Sequence, residues 1–432
     1  MASDGMKKLN ILMCGAGEYT TGYTVAGASK SDKKIGVVAL TCFDLRRRGK
    51  VDWLGICGAD GRRFPAVRKH LTENIGGVYK DMDTTYDDLL YTVKAEVDPS
   101  SSEGVVNYEA YKDAIAKLSP GDAVIIFTPD DTHYPIAKFA MEHGVHVLVT
   151  KPAVQLLRDH LDLIELAKKY NVVCFVEHHK RFDPVYSDAK ARSIELGEPN
   201  FFSAWMSQPK SQLETFRLWA GKSSDISYYL SSHHIDIHCW IMQGRAIPTR
   251  VVASASAGIA TGEPYNCVPQ TEDTITLMVD WQSLKSPKHR STAVYTASWT
   301  APMKSGVHSA QHWYYMAEKG EINVDQAHRG YDIVQDETGK TYYNPFYMKY
   351  SPSEDGHFDG QRGYGYISIE KFIDAVRSVN AGETKPAEYD AHGLPTIANT
   401  VLTTAILNAG RLSLDEKRPV YIKQVGDAWA LE

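Results

Sequence analysis

Few features of the 432-residue sequence point to an oxidising compartment. None of its six cysteines forms a C-x-x-C pair, which would suggest a metal or redox site. Cys14, Cys57 and Cys174 lie inside apolar runs. Buried thiols in a reducing compartment are therefore expected, rather than a disulfide framework.

Long apolar runs and a strong charge of one sign are also absent. No run approaches the roughly 20 apolar residues of a membrane helix, and the start of the chain lacks the apolar core of a secretory signal. The formal net charge of -6 is mild, which argues against nucleic acid and anionic membranes as partners. With no internal repeat or low-complexity tract, we expect a cytoplasmic globular protein, and its length favours two domains.

A glycine turn follows the first predicted strand, Leu9–Cys14. Such a turn between a strand and a helix lets the backbone approach a pyrophosphate, and the helix N-terminus supplies amides. Thr20 holds the place of the third glycine in G-x-G-x-x-G, and glycine turns also join strands to helices without any ligand. The residues that we assign to dinucleotide binding here are Gly15, Gly17, Glu18 and Tyr19.

Charged residues follow the second predicted strand, Val51–Ala59. Asp60 could accept hydrogen bonds from an adenine ribose, as in NAD sites. Arg62 and Arg63 could instead pair with the 2′-phosphate of NADP, or simply solvate a helix start. The choice between NAD and NADP stays open, and we favour NADP.

Spacing and polarity predict the segments around this strand. The distance from the glycine turn to Asp60 exceeds the usual spacing of about twenty residues. Ser29–Lys50 is therefore predicted to be an insertion, with Arg46-Arg47-Arg48 in a solvated loop. Tyr86–Leu90 is predicted to be helical, and the polar segment Asp98–Tyr108 to be a second excursion.

Strand Ala123–Thr128, helix Ile136–Glu142 and strand Val145–Val149 complete the alternating pattern of a doubly wound parallel sheet. Lys151 follows the last strand, and Pro152 ends it. A lysine there would lie at the mouth of the sheet, where ligands bind. The alternative is an ordinary surface lysine.

Four stretches together resemble the Gfo/Idh/MocA oxidoreductases, the family of glucose–fructose oxidoreductase and inositol dehydrogenase. They are Gly15-Ala16-Gly17, Thr128-Pro129-Asp130-Asp131-Thr132-His133, Thr150-Lys151-Pro152 and Leu230-Ser231-Ser232-His233-His234-Ile235-Asp236. The resemblance implies an α/β fold, with a dinucleotide-binding Rossmann domain, a doubly wound parallel sheet, in residues 1–152. It also implies a substrate-binding and oligomerisation α+β domain in residues 153–432, built on a large, mostly antiparallel sheet.

The same resemblance assigns roles to individual residues. Lys151 and His233 are the expected catalytic residues. The family usually has glutamate at the position of Thr150 and often aspartate at that of Tyr229, whose phenol could relay a proton. Further cofactor contacts are expected from Thr128, Pro129, His133, Lys151 and Pro152. Substrate contacts are expected from His179, Lys180, Arg181, Arg217 and Asp236. The four basic residues could bind the carboxylate of a hexuronate, although His179, Lys180 and Arg181 could equally solvate a helix start.

Histidines in the segment Ser231–Trp240 allow other interpretations. If the segment is helical, His234 and His238 share one face at i, i+4, a spacing that can hold a divalent metal. Ordinary core histidines are another alternative. The resemblance favours an active-site His233 instead, and we expect no metal.

Alternating and aromatic patterns in the second half predict one broad antiparallel sheet. Its strands are Val251–Ala257, Asp273–Trp281, Ser291–Thr300 and His312–Glu318. Such a sheet often leaves one face free to pack on a partner, so a homo-oligomer is expected. The aromatics of Tyr342–Gly365 could floor a sugar site or fill the core of a loop, and the closing helical pattern is Phe372–Asn408.

These features predict an NAD(P)-dependent oxidoreductase that acts on CH–OH groups of a sugar or sugar acid. Our best interpretation is NADPH-dependent reduction of a hexuronate such as D-galacturonate. A cationic Lys151 would stabilise the developing alkoxide, and Lys151 or His233 would deliver the proton. Two alternatives stay open: an NAD(P)-dependent dehydrogenase of a cyclic sugar or inositol, and a non-catalytic regulator that senses a dinucleotide.

Overall fold

The computed structural model describes residues 5–24, 27–29, 31, 33–88, 106–337, 339–426 and 428–432. Its strands are β1 (Leu9–Cys14), β2 (Tyr23–Thr24), β3 (Gly27–Ala28), β4 (Val51–Cys57), β5 (Asp87–Asp88), β6 (Ala123–Ile126), β7 (His146–Thr150), β8 (Cys174–Glu177), β9 (Pro199–Pro209), β10 (Ala246–Ser256), β11 (Thr274–Ser283), β12 (Arg290–Ala301), β13 (Ala310–Ala317), β14 (Gly320–Asp325), β15 (Asp332–Gln335), β16 (Gly339–Tyr342), β17 (Val420–Val425) and β18 (Ala428–Leu431). Its helices are α1 (Glu18–Thr21), α2 (Val37–Arg47), α3 (Phe64–Leu71), α4 (Ala110–Ile115), α5 (His133–Glu142), α6 (Leu157–Tyr170), α7 (Pro184–Glu195), α8 (Leu213–Phe216), α9 (Ser232–Met242), α10 (Tyr364–Asn380), α11 (Glu388–Ala391) and α12 (Val401–Glu416).

A six-stranded parallel sheet confirms the doubly wound fold predicted for the first part of the chain. Its strand order is β5-β4-β1-β6-β7-β8. The central strands are short apolar runs that are almost fully buried, as expected where helices pack on a parallel sheet. Because β8 pairs with β7, the sheet itself continues to Glu177; the domain division after residue 152 stays a prediction.

Helix α2 overturns the prediction of an open insertion at Ser29–Lys50. The side chains of Val38, Leu40 and Phe43 on this helix are fully buried in the core of the parallel sheet. Arg46 lies at the helix end, where it donates hydrogen bonds to backbone carbonyls rather than extending into solvent. The additional residues between the glycine turn and Asp60 therefore include a second helix, α2, which is buried in the core.

The other predicted segments of the first part have mixed outcomes. The helix predicted at Tyr86–Leu90 is wrong for its described residues, because β5 forms there and takes up the edge hydrogen bonds of β4. Residues 89–105, with most of the predicted excursion Asp98–Tyr108, lie outside the described residues. All six cysteines are buried free thiols, as predicted.

The second sheet has eight strands in the order β14-β13-β9-β12-β11-β10-β17-β18. Its pairs are antiparallel except for β9 with β12, which confirms the mostly antiparallel prediction. Helices α9 and α12 pack beside this sheet, and residues along β11 to β13 alternate between buried and more exposed. Trp205 and Met278 are exposed; pairing of the open face with a second copy stays a prediction.

Residues 343–363 are irregular, as predicted, and α10 and α12 form the closing helices with a break between them. Helix α10 packs against α2, β7 and β8 of the first sheet, whereas α12 packs against α9, β10 and β17. Both parts of the molecule therefore share the closing segment. Within the described residues, no helix is long and apolar enough to cross a membrane.

Candidate active site

A cavity of about 1310 Å³ lies at the carboxyl edge of the parallel sheet and reaches the second sheet. Parallel strands place the residues that follow them at the same edge, which is where α/β proteins bind ligands. Many of the predicted site residues line this cavity: Gly15, Gly17, Glu18, Tyr19, Asp60, Arg63, Thr128, Pro129, Lys151, His179, Lys180, Tyr229 and His233. The predicted site residues outside its lining are Arg62, His133, Pro152, Arg181, Arg217 and Asp236.

The glycine turn has the shape that a dinucleotide requires. Gly15 has a φ of 103°, and a Cβ there would lie 2.1 Å from the carbonyl oxygen of Phe127. Gly17 caps helix α1, and a Cβ built on it has no atom within 4 Å, so the space in front of the helix is open. These two observations fit a phosphate group approaching the backbone amides.

Glu18 and Tyr19 make contacts that hold the turn in place. The Glu18 carboxylate accepts hydrogen bonds from the hydroxyls of Ser29 and Ser31. The Tyr19 ring stacks on Phe127 with centroids 4.8 Å apart, and its hydroxyl accepts a hydrogen bond from Tyr347. Cofactor contacts by Glu18 and Tyr19 stay a prediction.

Asp60 and Arg63 line the cavity, whereas Arg62 lies outside its lining. Arg62 donates to both Asp60 oxygens at 2.8–2.9 Å, and this pairing lowers the pKa of Asp60. Arg63 lines the cavity and donates to the carbonyl of Tyr23 at 3.2 Å, while its Nε is buried without a partner among the described residues. Because Arg63 lines the cavity and Arg62 does not, Arg63 is the better candidate to bind an anionic group there.

His133 positions the backbone around the site without lining the cavity. Its Nδ1 lies 2.9 Å from the Pro152 carbonyl oxygen and its Nε2 lies 2.9 Å from that of Thr128. The ring therefore bridges the segments that follow β6 and β7. Thr128 and Pro129 line the cavity at the first of these segments.

Lys151 lines the cavity beside Tyr229. Its Nζ donates to the carbonyl of Tyr229 and lies 4.3 Å from the centroid of the Tyr229 ring. Desolvation lowers the pKa of Lys151 to about 8, although the carboxylates of Asp130 and Glu177 oppose this shift. A lysine with this pKa can hold or release a proton near neutral pH. A proton relay through the phenol of Tyr229 stays a prediction.

The two carboxylates near Lys151 were not assigned a role from the sequence. Glu177, at the end of β8, is buried and accepts a hydrogen bond from Ser368, and its carboxylate lies 2.9 Å from Nδ1 of His179. Asp130 accepts a hydrogen bond from Ser224, and desolvation raises its pKa. For Glu177, the signal in the sequence was its position at the end of a predicted strand.

His233 lines the cavity from helix α9, and its ring centroid lies 5.1 Å from that of His179. Burial, together with the positive charges of Lys151 and Lys180, lowers the pKa of His233 well below its ordinary value. The imidazole is therefore neutral at neutral pH. Its Nδ1 is buried and has no hydrogen-bond partner in the described part of the chain.

Lys180 brings a second buried cation to the cavity. Its Nζ donates to Oε1 of Gln311, and desolvation lowers the pKa of Lys180 to about 7. Lys33, from the segment that the sequence analysis treated as an insertion, also lines the cavity, with its Nζ 3.1 Å from Nε2 of His308. The positive charge of Lys33 contributes to the lowered pKa values of Lys151 and Lys180.

Arg181, Asp236 and Arg217 lie away from the cavity lining. Arg181 forms a buried, two-point ion pair with Asp236, with N–O distances of 2.7 and 2.8 Å. Arg217 is exposed. His234 and His238 on α9 face the hydroxyls of Tyr186 and Tyr295, respectively, so they do not converge on a common point. A substrate role for Arg181, Arg217 and Asp236 stays a prediction.

Comparisons with known proteins agree with this architecture. Residues 9–178 match the family model GFO_IDH_MocA, described as an oxidoreductase family with an NAD-binding Rossmann fold. The scyllo-inositol 2-dehydrogenase (NAD(+)) of Bacillus subtilis is 39% identical over 89 residues, which are 20% of this chain and 26% of that protein. A scyllo-inositol 2-dehydrogenase (NADP(+)) of the same species is 31% identical over 96 residues, 22% of this chain and 29% of that protein. The chain thus spans less than a third of the length of these relatives.

The fold likeness extends over nearly the whole chain. A crystal structure of scyllo-inositol dehydrogenase from Lactobacillus casei, with bound NAD(H) and scyllo-inositol, superposes with a TM-score of 0.62. It covers 96% of this chain and 99% of that one at 14% identity, so it shows the fold alone. Residues 9–178 are thus similar to the dinucleotide-binding part of the Gfo/Idh/MocA oxidoreductases, and the rest of the chain shares the fold of scyllo-inositol dehydrogenase.

Proposed function

We propose that the protein is an NAD(P)-dependent oxidoreductase that acts on a CH–OH group of a sugar-type substrate, and that it reduces a hexuronate such as D-galacturonate with NADPH. The observation that carries this proposal is the position of Lys151, which lines the same cavity as the open glycine turn. The dinucleotide would be held by the turn at Gly15 and Gly17 and by the segment at Thr128 and Pro129. When bound, it would supply or accept the hydride.

Lys151 is the proposed proton donor in reduction. With a pKa of about 8 it is mostly cationic at neutral pH, so it can stabilise a developing alkoxide and pass a proton to it. The ring and carbonyl of Tyr229 hold its ammonium group in place. His233, which is neutral, would accept a hydrogen bond from a substrate hydroxyl rather than donate the proton.

A hydroxyl-rich substrate is supported by buried acceptors around the cavity. Oε1 of Gln208 and Oδ1 of Asn344 have no hydrogen-bond partner among the residues described, and both residues line the cavity. An unpaired buried polar atom costs about 1–3 kcal/mol, so a rotation of either side chain toward a ligand hydroxyl in the cavity would be favourable. The aromatic rings of Tyr347 and Tyr364 also line the cavity, and both are buried.

A negatively charged substrate is supported by Lys180 and Lys33. Both line the cavity together with Lys151, and burial strengthens the attraction of such cations for a carboxylate. NADP is supported by Arg63, a cation that lines the cavity and could pair with a 2′-phosphate. One of the relatives is named for NAD and the other for NADP, so the assay compares both cofactors.

The test is a spectrophotometric assay of NADPH and then NADH consumption, with D-galacturonate, D-glucuronate, D-galactose and an inosose as substrates. D-Galactose is the matched control for D-galacturonate because it lacks only the carboxylate. Turnover confined to the uronates supports the proposal. Turnover of neutral compounds alone would reject the uronate and indicate a dehydrogenase of a cyclic sugar or inositol. Tight dinucleotide binding without any turnover would favour a non-catalytic sensor. Homo-oligomerisation through the second sheet stays a separate proposal.

A further inference from the structure

Two histidines and an aspartate meet at the edge of the second sheet, outside the active-site cavity. His312 lies on β13, Asp325 ends β14, and His328 follows in the next turn. One ligand atom from each lies within 4.8 Å of the other two. Asp325 Oδ1 is 3.5 Å from Nε2 of His312, and Asp325 Oδ2 is 2.8 Å from Nδ1 of His328. None of the three residues lines the cavity.

Neighbouring groups hold all three side chains in place. The Trp205 ring stacks on His312 with centroids 4.4 Å apart, and the Tyr342 ring packs edge-on against His328 at 4.5 Å. The backbone N–H groups of Ala327 and His328 each donate to Asp325 Oδ1 at 3.1 Å. Hydrogen bonds of this kind to a ligating carboxylate fix its orientation in established metal sites.

We propose that His312, Asp325 and His328 bind a divalent transition metal, with zinc as the best match. Two imidazole nitrogens and one carboxylate oxygen form a donor set that zinc uses, and a fourth position would stay open to water. Binding would replace the histidine–carboxylate contacts and require both imidazoles to offer a lone pair. The site is independent of the proposed reductase function.

The metal would have a structural role next to the active site. It would join β13 to the turn after β14, and the sequence neighbours Gln311 and Gln326 both line the cavity. Gln311 accepts the hydrogen bond from Lys180. A metal at this edge would therefore stabilise the strand pair that supports this wall of the cavity.

A second histidine with two carboxylates provides the matched control. His357 Nε2 lies 3.0 Å from Asp81, and its Nδ1 lies 3.0 Å from Asp355. The two carboxylates face opposite edges of the ring, so they cannot share a metal with it. His357→Ala removes a histidine of similar surroundings without touching the proposed site.

The experiment titrates zinc chloride into the full-length, chelator-treated protein by calorimetry, with cobalt(II) absorption as the second readout. We expect one tight site per chain, a tetrahedral cobalt spectrum, and a rise in melting temperature on zinc addition. His312→Ala and Asp325→Asn should each weaken zinc binding at least tenfold, whereas His357→Ala should not. Both site variants should unfold cooperatively in chelator, which establishes that they fold. Equal zinc binding by wild type and both site variants, or an equal loss in His357→Ala, would overturn the proposal.

Discussion

Replacing Gly15 with alanine should destabilise the protein, whereas the same change at Gly17 should not. A Cβ at Gly15 would lie 2.1 Å from the carbonyl oxygen and 2.7 Å from the carbonyl carbon of Phe127, so backbone must move. The φ of 103° adds the strain of a left-handed conformation, about 1–2 kcal/mol, to an overpacking cost of about 1–3 kcal/mol. The sum is a loss of roughly 2–5 kcal/mol in the free energy of unfolding.

Gly17 is the matched control. Its φ of -85° is ordinary for any residue, and no atom lies within 4 Å of a Cβ built there. Gly17→Ala should therefore unfold in urea with a free energy within about 0.5 kcal/mol of wild type, yet bind the dinucleotide more weakly because the methyl group enters the space in front of helix α1. Urea denaturation and a fluorescence titration with NADPH measure the two effects separately. A Gly15→Ala protein as stable as wild type would refute the turn geometry. Unchanged NADPH binding by Gly17→Ala would refute the placement of the pyrophosphate.

Three further outcomes are expected. Desolvation lowers the pKa of Lys180 to about 7, so its positive charge is lost above that pH and the KM for a uronate should rise. Lys180→Gln should abolish this rise in KM. Initial rates measured across neutral pH check both expectations. Arg63→Ala should weaken NADPH binding about tenfold or more and NADH binding less, since a charge-assisted hydrogen bond contributes about 1.5–3 kcal/mol; equal losses would remove Arg63 from 2′-phosphate recognition. His233→Ala should lower kcat/KM about tenfold with unchanged dinucleotide affinity, since a lost hydrogen bond to the substrate costs about 0.5–1.5 kcal/mol; near-normal turnover would exclude His233 from substrate binding.

The sequence predicted the parts of the fold where local pattern and burial agree. Strand β1 and the strand that precedes Lys151 are short apolar runs, and both site segments directly follow such runs. Helix α2 was missed because spacing counted from the glycine turn cannot distinguish an insertion from a helix that resumes later. The signal available in the sequence was the set of apolar residues Val38, Leu40 and Phe43, which the helix buries.

Tertiary contacts explain what local pattern could not predict. Arg181 could bind the carboxylate of a substrate, but in the fold it pairs with Asp236 on helix α9. The two residues are far apart in the sequence, so local pattern could not predict this pairing. Lys33 lines the cavity from a segment without a regular apolar pattern. Gln311 lines it from β13, where the alternation of apolar and polar residues does not indicate which element packs on each face. Residues contributed by distant segments are therefore the ones that sequence analysis omitted.

The central claim is that Lys151 carries the proton chemistry, and the variant Lys151→Met tests it most directly. The measurement is kcat and KM for NADPH-dependent reduction as a function of pH, beside the Kd for NADPH, in the variant, the wild type and a control variant of a lysine outside the cavity lining, Lys138→Met. We predict that wild-type kcat falls above about pH 8, where Lys151 loses its proton, separately from the rise in KM above about pH 7 that the loss of the Lys180 charge causes. The Lys151→Met protein should bind NADPH normally and lose turnover about 100-fold or more, while Lys138→Met behaves as wild type. Turnover by Lys151→Met that matches wild type in rate and pH dependence would contradict the account.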